Sequence, residues 1–284
     1  MLTTFTLILC LFSFDALAAS IFPDEVQSIA VRGTLLCGAV PMSNVPLKLY
    51  DVDRIDPDDL MASAFTDEYG DFYIEGHEME LTNIDPVLKI YHKCNDEGLP
   101  CDRKWSIGIP DKYITHNNRT PQFTMNLGIM NAELEIDGET RDYMNCLVSV
   151  GLFILYVTVS SAFRAQSVAV RGKLMCGEKP AADILVKLVD DDRGPDPDDL
   201  LDSTYTASDG SFSLQGGTME LTNIDPEIRI YHDCNDHGKP CQREWVIGIP
   251  DKYISSGHHP SKIMNLGAMN LEVELESEDH DCVH

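Results

Sequence analysis

The hexapeptide Leu-Thr-Asn-Ile-Asp-Pro occurs twice, at Leu81–Pro86 and Leu221–Pro226, and its surroundings recur with it. Ser28–Ile114 realigns on Ser167–Ile254 with one inserted residue and about half or more of the positions identical. A period of about 140 residues is far longer than a solenoid unit and fits a whole domain. The chain is therefore one domain of about 120 residues written twice, over 28–142 and 167–284, plus the segment that joins the copies.

That segment carries no charge from Tyr143 to Phe163, and Leu147–Val159 is strongly apolar. The chain opens with a similar run, Leu7–Phe14, followed by small residues at Ala16 and Ala18. A short apolar core with a small-residue exit predicts a secretory signal peptide over residues 1–18. The internal segment over 144–165 repeats the arrangement: Met144 precedes the apolar run, which ends in Ser160-Ser161-Ala162. It is read as an internal signal sequence, as two neighbouring genes merged into one chain would give. The alternative is a transmembrane helix, since about 20 apolar residues span a bilayer. A stop-transfer helix would leave the second copy in the cytosol, where disulfides are rare, although that copy carries the cysteine framework of the first.

Four cysteines fall in the second copy, Cys176, Cys234, Cys241 and Cys282, and three in the first, Cys37, Cys94 and Cys101. The loops Cys94–Cys101 and Cys234–Cys241 are rich in Asn, Asp, Gly and Pro, so their ends can approach bonding distance. Spacing thus predicts disulfides Cys94–Cys101 and Cys234–Cys241, and elimination then pairs Cys176 with Cys282. Cys37 is left with a partner that is lost or replaced by Cys146. Zinc is the rival, because His92 lies two residues before Cys94, but no third and fourth ligand stand at metal spacing.

Acidic residues outnumber basic ones, 47 Asp and Glu against 21 Lys and Arg, for a net charge of -26. Such a chain repels phosphate backbones, which excludes nucleic acid as a partner and favours basic or calcium-bridged ones. The local pattern is β. Ala30–Cys37, Val45–Tyr50, Phe72–Ile74, Leu88–His92, Trp105–Ile109, Phe123–Leu127 and Ala132–Ile136 are short and rich in β-branched or aromatic residues, with turn formers between them. Pro57–Ala64 is expected to hold one short helix, with Asp56 as its N-cap. An all-β, antiparallel β-sandwich in two copies follows.

Several motifs in order give a specific resemblance. Val170-Arg-Gly-Lys-Leu-Met-Cys-Gly, Val186-Lys-Leu, Asp190-Asp-Asp-Arg-Gly-Pro-Asp-Pro-Asp-Asp-Leu200, Ile230-Tyr-His-Asp-Cys-Asn-Asp and Ile247-Gly-Ile-Pro-Asp-Lys-Tyr-Ile254 resemble the nematode transthyretin-like family. The first copy shows the same motifs, as Val31-Arg-Gly, Asp51-Val-Asp-Arg, Ile90-Tyr-His-Lys-Cys94 and Ile109-Pro-Asp-Lys-Tyr113. The resemblance implies a transthyretin-like two-sheet sandwich that is secreted, often associated with cell surfaces, and without established catalytic activity. Two departures stand out: the first copy lacks the family's terminal cysteine, and two copies in one chain are not the usual layout.

The chemical candidates are few. Asp51, Asp53, Asp56, Asp58 and Asp59 crowd one loop, and Asp190 and Asp192 open the matching one, as calcium demands. The spacing is not that of an EF-hand, and a solvated loop is the plainer reading, so Asp51, Asp53, Asp190 and Asp192 stand as calcium candidates only. His92 and His232 follow Tyr on a strand and read as core or hydrogen-bonded histidines rather than catalytic ones. Trp105 and Trp245 read as core. Asn118-Arg-Thr120 is a glycosylation sequon in a polar loop. No nucleophile–base or paired-carboxylate signature emerges. The hydrolase relatives of transthyretin, which act on 5-hydroxyisourate, end in Tyr-Arg-Gly-Ser, whereas this chain ends Asp-Cys-Val-His. The expectation is a non-catalytic binding or adaptor module with no cofactor, engaging an extracellular protein or cell-surface ligand. A membrane anchor through 144–163, a small-ligand carrier and a hydrolase are the alternatives.

Overall fold

A computed structural model describes residues 25–52, 57–96, 98–99, 101–141, 164–192 and 198–283. The first repeat supplies β1 (Glu25–Cys37), β2 (Val40–Pro41), β3 (Pro46–Asp51), β4 (Asp59–Phe65), β5 (Asp71–Glu80), β6 (Pro86–His92), β7 (Arg103–Gly108), β8 (Thr115–His116), β9 (Thr124–Asn131), β10 (Glu135–Ile136) and β11 (Thr140–Arg141). The second supplies β12 (Arg164–Cys176), β13 (Lys179–Pro180), β14 (Leu185–Asp190), β15 (Asp199–Tyr205), β16 (Ser211–Glu220), β17 (Pro226–His232), β18 (Gln242–Gly248), β19 (Ser255–Ser256), β20 (Met264–Asn270), β21 (Glu274–Leu275) and β22 (Asp279–Asp281). Among the described residues a 3-10 turn interrupts each, at Asp111–Tyr113 and Asp251–Tyr253.

Strict alternation of buried and partly exposed positions in β3, β6 and β7 marks sheets with one face on a core. One layer of the first repeat runs β4-β3-β6-β7, all antiparallel, and the second repeat repeats it as β15-β14-β17-β18. The opposing layer sets β1 between β5 and β9, with β12 between β16 and β20. Here the sheet departs from a purely antiparallel one, because β1 pairs β9 in parallel and β12 pairs β20 likewise. The long excursion through the first layer returns the chain to the same end of β1, which only a parallel neighbour allows. Ile29, Leu35, Leu47, Leu49, Leu88, Ile90, Trp105 and Ile107 fill the space between the layers, and their counterparts fill the second repeat in the same contiguous core.

The short helix expected at Pro57–Ala64 is instead strand β4. Its register against β3, from Pro46↔Phe65 to Asp51↔Asp59, gives its backbone a ready ladder, and that partner outweighs a marginal helical tendency. Asp53 and Asp56 lie outside the described residues. So do the signal-like run over 1–18 and the apolar stretch over 144–163, whereas Arg164 and Ala165, grouped with that stretch in the sequence, open β12. Among the described residues no helix is long and apolar enough to cross a membrane.

The disulfides join different cysteines from those the loop spacing pairs. Cys37 bonds Cys94 and Cys176 bonds Cys234, tying the end of β1 or β12 to the turn after β6 or β17. Cys241 bonds Cys282, and Cys101 is also disulfide-bonded. Register explains the correction. Gln242 faces Asp281 across the β18–β22 ladder, so the next residues outward, Cys241 and Cys282, meet directly. Cys94 is 3% exposed and continues the inward-facing series of Ile90 and His92, which carries its sulfur across the sandwich to Cys37 rather than along the loop to Cys101.

Candidate cation site and buried ionisable groups

Asp190 is the last residue of β14, opposite Asp199 on one side and Pro226 on the other. The residue is 2% exposed. Oδ1 accepts the backbone N–H of Asp225 at 2.7 Å, while Oδ2 is buried without a hydrogen-bond donor. Burial pushes this carboxyl up to about 6; the Asp225 N–H opposes the rise and the charges of Asp192, Glu220 and Asp225 add to it. Carboxylate oxygens of Asp190, Asp192 and Glu220 all lie within 4.8 Å of one another. Three converging carboxylates around a desolvated, donor-less oxygen are suited to a hard divalent cation, which would supply the missing partner.

The structure thus brings together two residues singled out in the sequence, Asp190 and Asp192, with a third that was not. Glu220 ends β16 and stands far from the acidic loop in sequence; its one local signal is its place directly before the repeated hexapeptide. In the first repeat Asp51 holds the same position, 2% exposed, with Oδ1 accepting the Asp85 N–H at 2.7 Å. A neighbouring acidic group, Asp191, Asp198 and Glu227, already has its cation: Arg229 reaches Asp198 at 2.5 Å and Glu227 at 2.6 Å.

His92 and His232 are core residues. They are 2% and 0% exposed, each packs edge-on against a tryptophan (Trp105 at 4.8 Å, Trp245 at 5.3 Å between centroids), and neither ring has a hydrogen-bond partner. Burial drives both down to about 3, helped by the nearby Arg103 and Arg243 guanidinium groups respectively. Such rings stay neutral at physiological pH.

Arg103 and Arg243 escaped the sequence reading, since a lone Arg in a strand gives no signal. Arg103 is 2% exposed and donates to both oxygens of Glu139 at 2.5 and 2.6 Å, and to the carbonyls of Cys94, Ala132 and Leu134 at 2.8, 3.0 and 2.5 Å. Trp105 Nε1 donates to the same carboxylate at 2.8 Å. Arg243 reproduces the set with Glu278, Cys234, Leu271 and Val273. Every donor of the fork has a target, so this is a structural clamp and not a reacting group.

With the two-layer sandwich, its β1–β9 parallel pair and the matched disulfides established, the chain can be set beside known proteins. The transthyretin-like family model matches residues 32–110 and again 171–250. The chain belongs to the transthyretin-like family. Transthyretin-like protein 33 of Caenorhabditis elegans is 51% identical over 133 residues, which cover 47% of this chain and 93% of that protein. Transthyretin-like protein 5 of the same organism is 47% identical over 137 residues, 47% of this chain and 99% of that one. One repeat therefore corresponds to nearly a whole transthyretin-like relative. Among solved structures, the shaft pilin SpaA of Lactobacillus rhamnosus GG aligns over 86% of this chain and 98% of its own at 8% identity, with a TM-score of 0.20, too low to carry an argument.

Both matched relatives bear transthyretin-like names. A groove of about 370 Å³ lies between Val52, Val87, Lys89 and Lys104 of the first repeat and Glu274 and Glu276 of the second, away from both histidines.

Proposed function

We propose that this transthyretin-like chain is a secreted, non-catalytic binding protein that engages an extracellular or cell-surface partner through cation-loaded acidic strand ends. The observation that carries this reading is the Asp190–Asp192–Glu220 cluster with its buried, donor-less Asp190 oxygen. The disulfides Cys37–Cys94, Cys176–Cys234 and Cys241–Cys282 support an oxidising compartment. Asn118 is exposed, with only the Thr120 N–H on its Oδ1 at 3.0 Å, so its amide nitrogen is accessible for glycosylation. A small-ligand carrier is the second reading, favoured by the groove over Lys89 and Lys104.

Calorimetric titration of the intact chain with calcium tests the cation site. Asp190→Asn is expected to weaken one site by roughly tenfold or more. Unchanged affinity in that variant, or no calcium uptake by the unaltered chain, overturns the cation site. Labelled chain is further expected to bind intact cells saturably with calcium and to release when it is chelated. Turnover of 5-hydroxyisourate that disappears in His232→Gln would defeat the non-catalytic reading.

A further inference from the structure

The outward face of strands β3, β6 and β7 is basic, in a chain whose net charge is -26. The partly exposed positions of those strands carry Lys48, Lys89 and Lys104. Lys48 stands directly opposite Lys89. Lys104 is the diagonal neighbour of Lys89, two residues from Ser106, which faces it. Like charges set opposite one another across a ladder destabilise a sheet. These side chains are also held in place: the Lys48 ammonium lies over the Tyr91 ring at 5.3 Å and that of Lys89 over Tyr50 at 4.3 Å. Lys89 pairs with Asp58 at 2.7 Å, whereas among the described residues neither Lys48 nor Lys104 forms an ion pair. Cations ordered in advance lose little freedom when they bind an anion.

The second repeat shows that folding does not require this face. Val52, Val87 and Lys104 match Asp191, Glu227 and Glu244. There Lys187 and Arg229 stand in the same direct opposition, but Arg229 is held by Asp198 and Glu227. The matching hollow is about 150 Å³, and Glu135, Asp191, Glu227 and Asp251 are among its lining residues. One backbone thus carries an acidic face in one repeat and a basic face in the other.

The basic face leads into the groove of about 370 Å³. The two repeats share a sheet, β9 pairing β20 antiparallel, and each lends an arm to the other. β10 adds to β18, and β21 adds to β7 through Glu274↔Gly108 and Leu275↔Ile107. The β21 arm walls the groove beside the end of β7. Lys89 and Lys104 therefore line one part of it, Val87 and Leu275 the middle, and Glu274 and Glu276 the other.

That mixture selects among anions. A membrane of anionic lipid meets the two glutamates with repulsion alone, and its flat surface does not enter a concavity. A sulfated polysaccharide suits both parts: its sulfates accept from the lysines, and its hydroxyls donate to the carboxylates. Charge elsewhere on the chain is screened beyond about 8–10 Å at physiological salt, so the local lysines decide. We propose that the groove between β6, β7 and the β21 arm binds a sulfated glycan, with Lys48, Lys89 and Lys104 on sulfate and Glu274 and Glu276 on sugar hydroxyls. Only the place where such a polymer is met rests on the secreted reading; the acidic strand ends play no part.

Calorimetry of the intact chain with a heparin-derived sulfated hexasaccharide is the test. Saturable binding of a single hexasaccharide per chain is expected, persisting in EDTA and weakening as salt rises. Lys104→Glu with Val87→Glu installs the second repeat's own residues, so the β-sheet circular dichroism is expected to stay while affinity falls roughly tenfold or more. Lys187→Ala, at the matching lysine of the second repeat, is expected to leave affinity unchanged. No uptake of the hexasaccharide, equal binding of its desulfated form, or an affinity indifferent to Lys104→Glu overturns the proposal. So does a chain that binds phosphatidylserine vesicles through Lys104 and ignores the hexasaccharide. Hexasaccharide binding by a chain that takes up no calcium would support this site while overturning the strand-end one.

Discussion

His92 and His232 each contribute to the acid response of this protein. Each ring is buried, neutral and without a hydrogen-bond partner, and its pKa falls to about 3 from an ordinary value of 6.5. The unfolded chain takes up a proton near 6.5 and the folded one does not until about 3, so this stability is intact above 6.5 and drains as pH falls. The loss is about 1.4 kcal/mol per pH unit for each histidine within that window. Replacing a partnerless polar ring by an apolar side chain removes a desolvation cost without orphaning anything. His232→Leu is therefore expected to keep or raise stability at neutral pH and to shrink the acid slope by about the share of one histidine. Urea midpoints measured across the window check this; an unchanged slope would show that the ring is protonated or solvated in the fold.

At the scale of elements, most strands were legible in the sequence because each one alternates inward and outward residues over its own length. Leu88–His92 and Trp105–Ile109 need only their neighbours to be recognised, and they became β6 and β7. Ala132–Ile136 also read as a strand, but its alternation names no partner, and the ladder it forms lies on the other repeat. The disulfide pairing failed for a related reason: spacing measures the cost of closing a loop, while the sheet register decides which way each sulfur points. Glu220 joined the acidic cluster through the fold, with no local spacing to announce it. Peptide mapping without reduction is expected to recover Cys37 with Cys94, Cys176 with Cys234 and Cys241 with Cys282. Peptides linking Cys94 to Cys101 or Cys234 to Cys241 would restore the loop-closure pairing. The arginine clamps belong to this scale as well, because Arg103 holds the carbonyls of Ala132 and Leu134, the base of the crossing arm.

For the whole molecule, the shared sheet and the exchanged arms make the two repeats one cooperative body. Neither half can open without breaking the β9–β20 ladder and withdrawing a strand from the other's sheet, and the apolar core is contiguous through both. Two independently stable domains would unfold in separate steps, whereas coupled ones melt together. The chain carries its own reporters, since its two tryptophans, Trp105 and Trp245, are each 1% exposed in a different repeat. Trp105→Phe leaves fluorescence from the second repeat alone, and Trp245→Phe from the first. Adding Leu49→Ala, which empties a fully buried position of the first repeat, should cost about 2–5 kcal/mol. In the Trp105→Phe background that cost is expected to lower the urea midpoint reported by Trp245, although Leu49 belongs to the other repeat. Coincident transitions from both reporters, displaced together by Leu49→Ala, are the signature of one body. A Trp245 midpoint that ignores Leu49→Ala would mean that the repeats share a boundary without sharing stability.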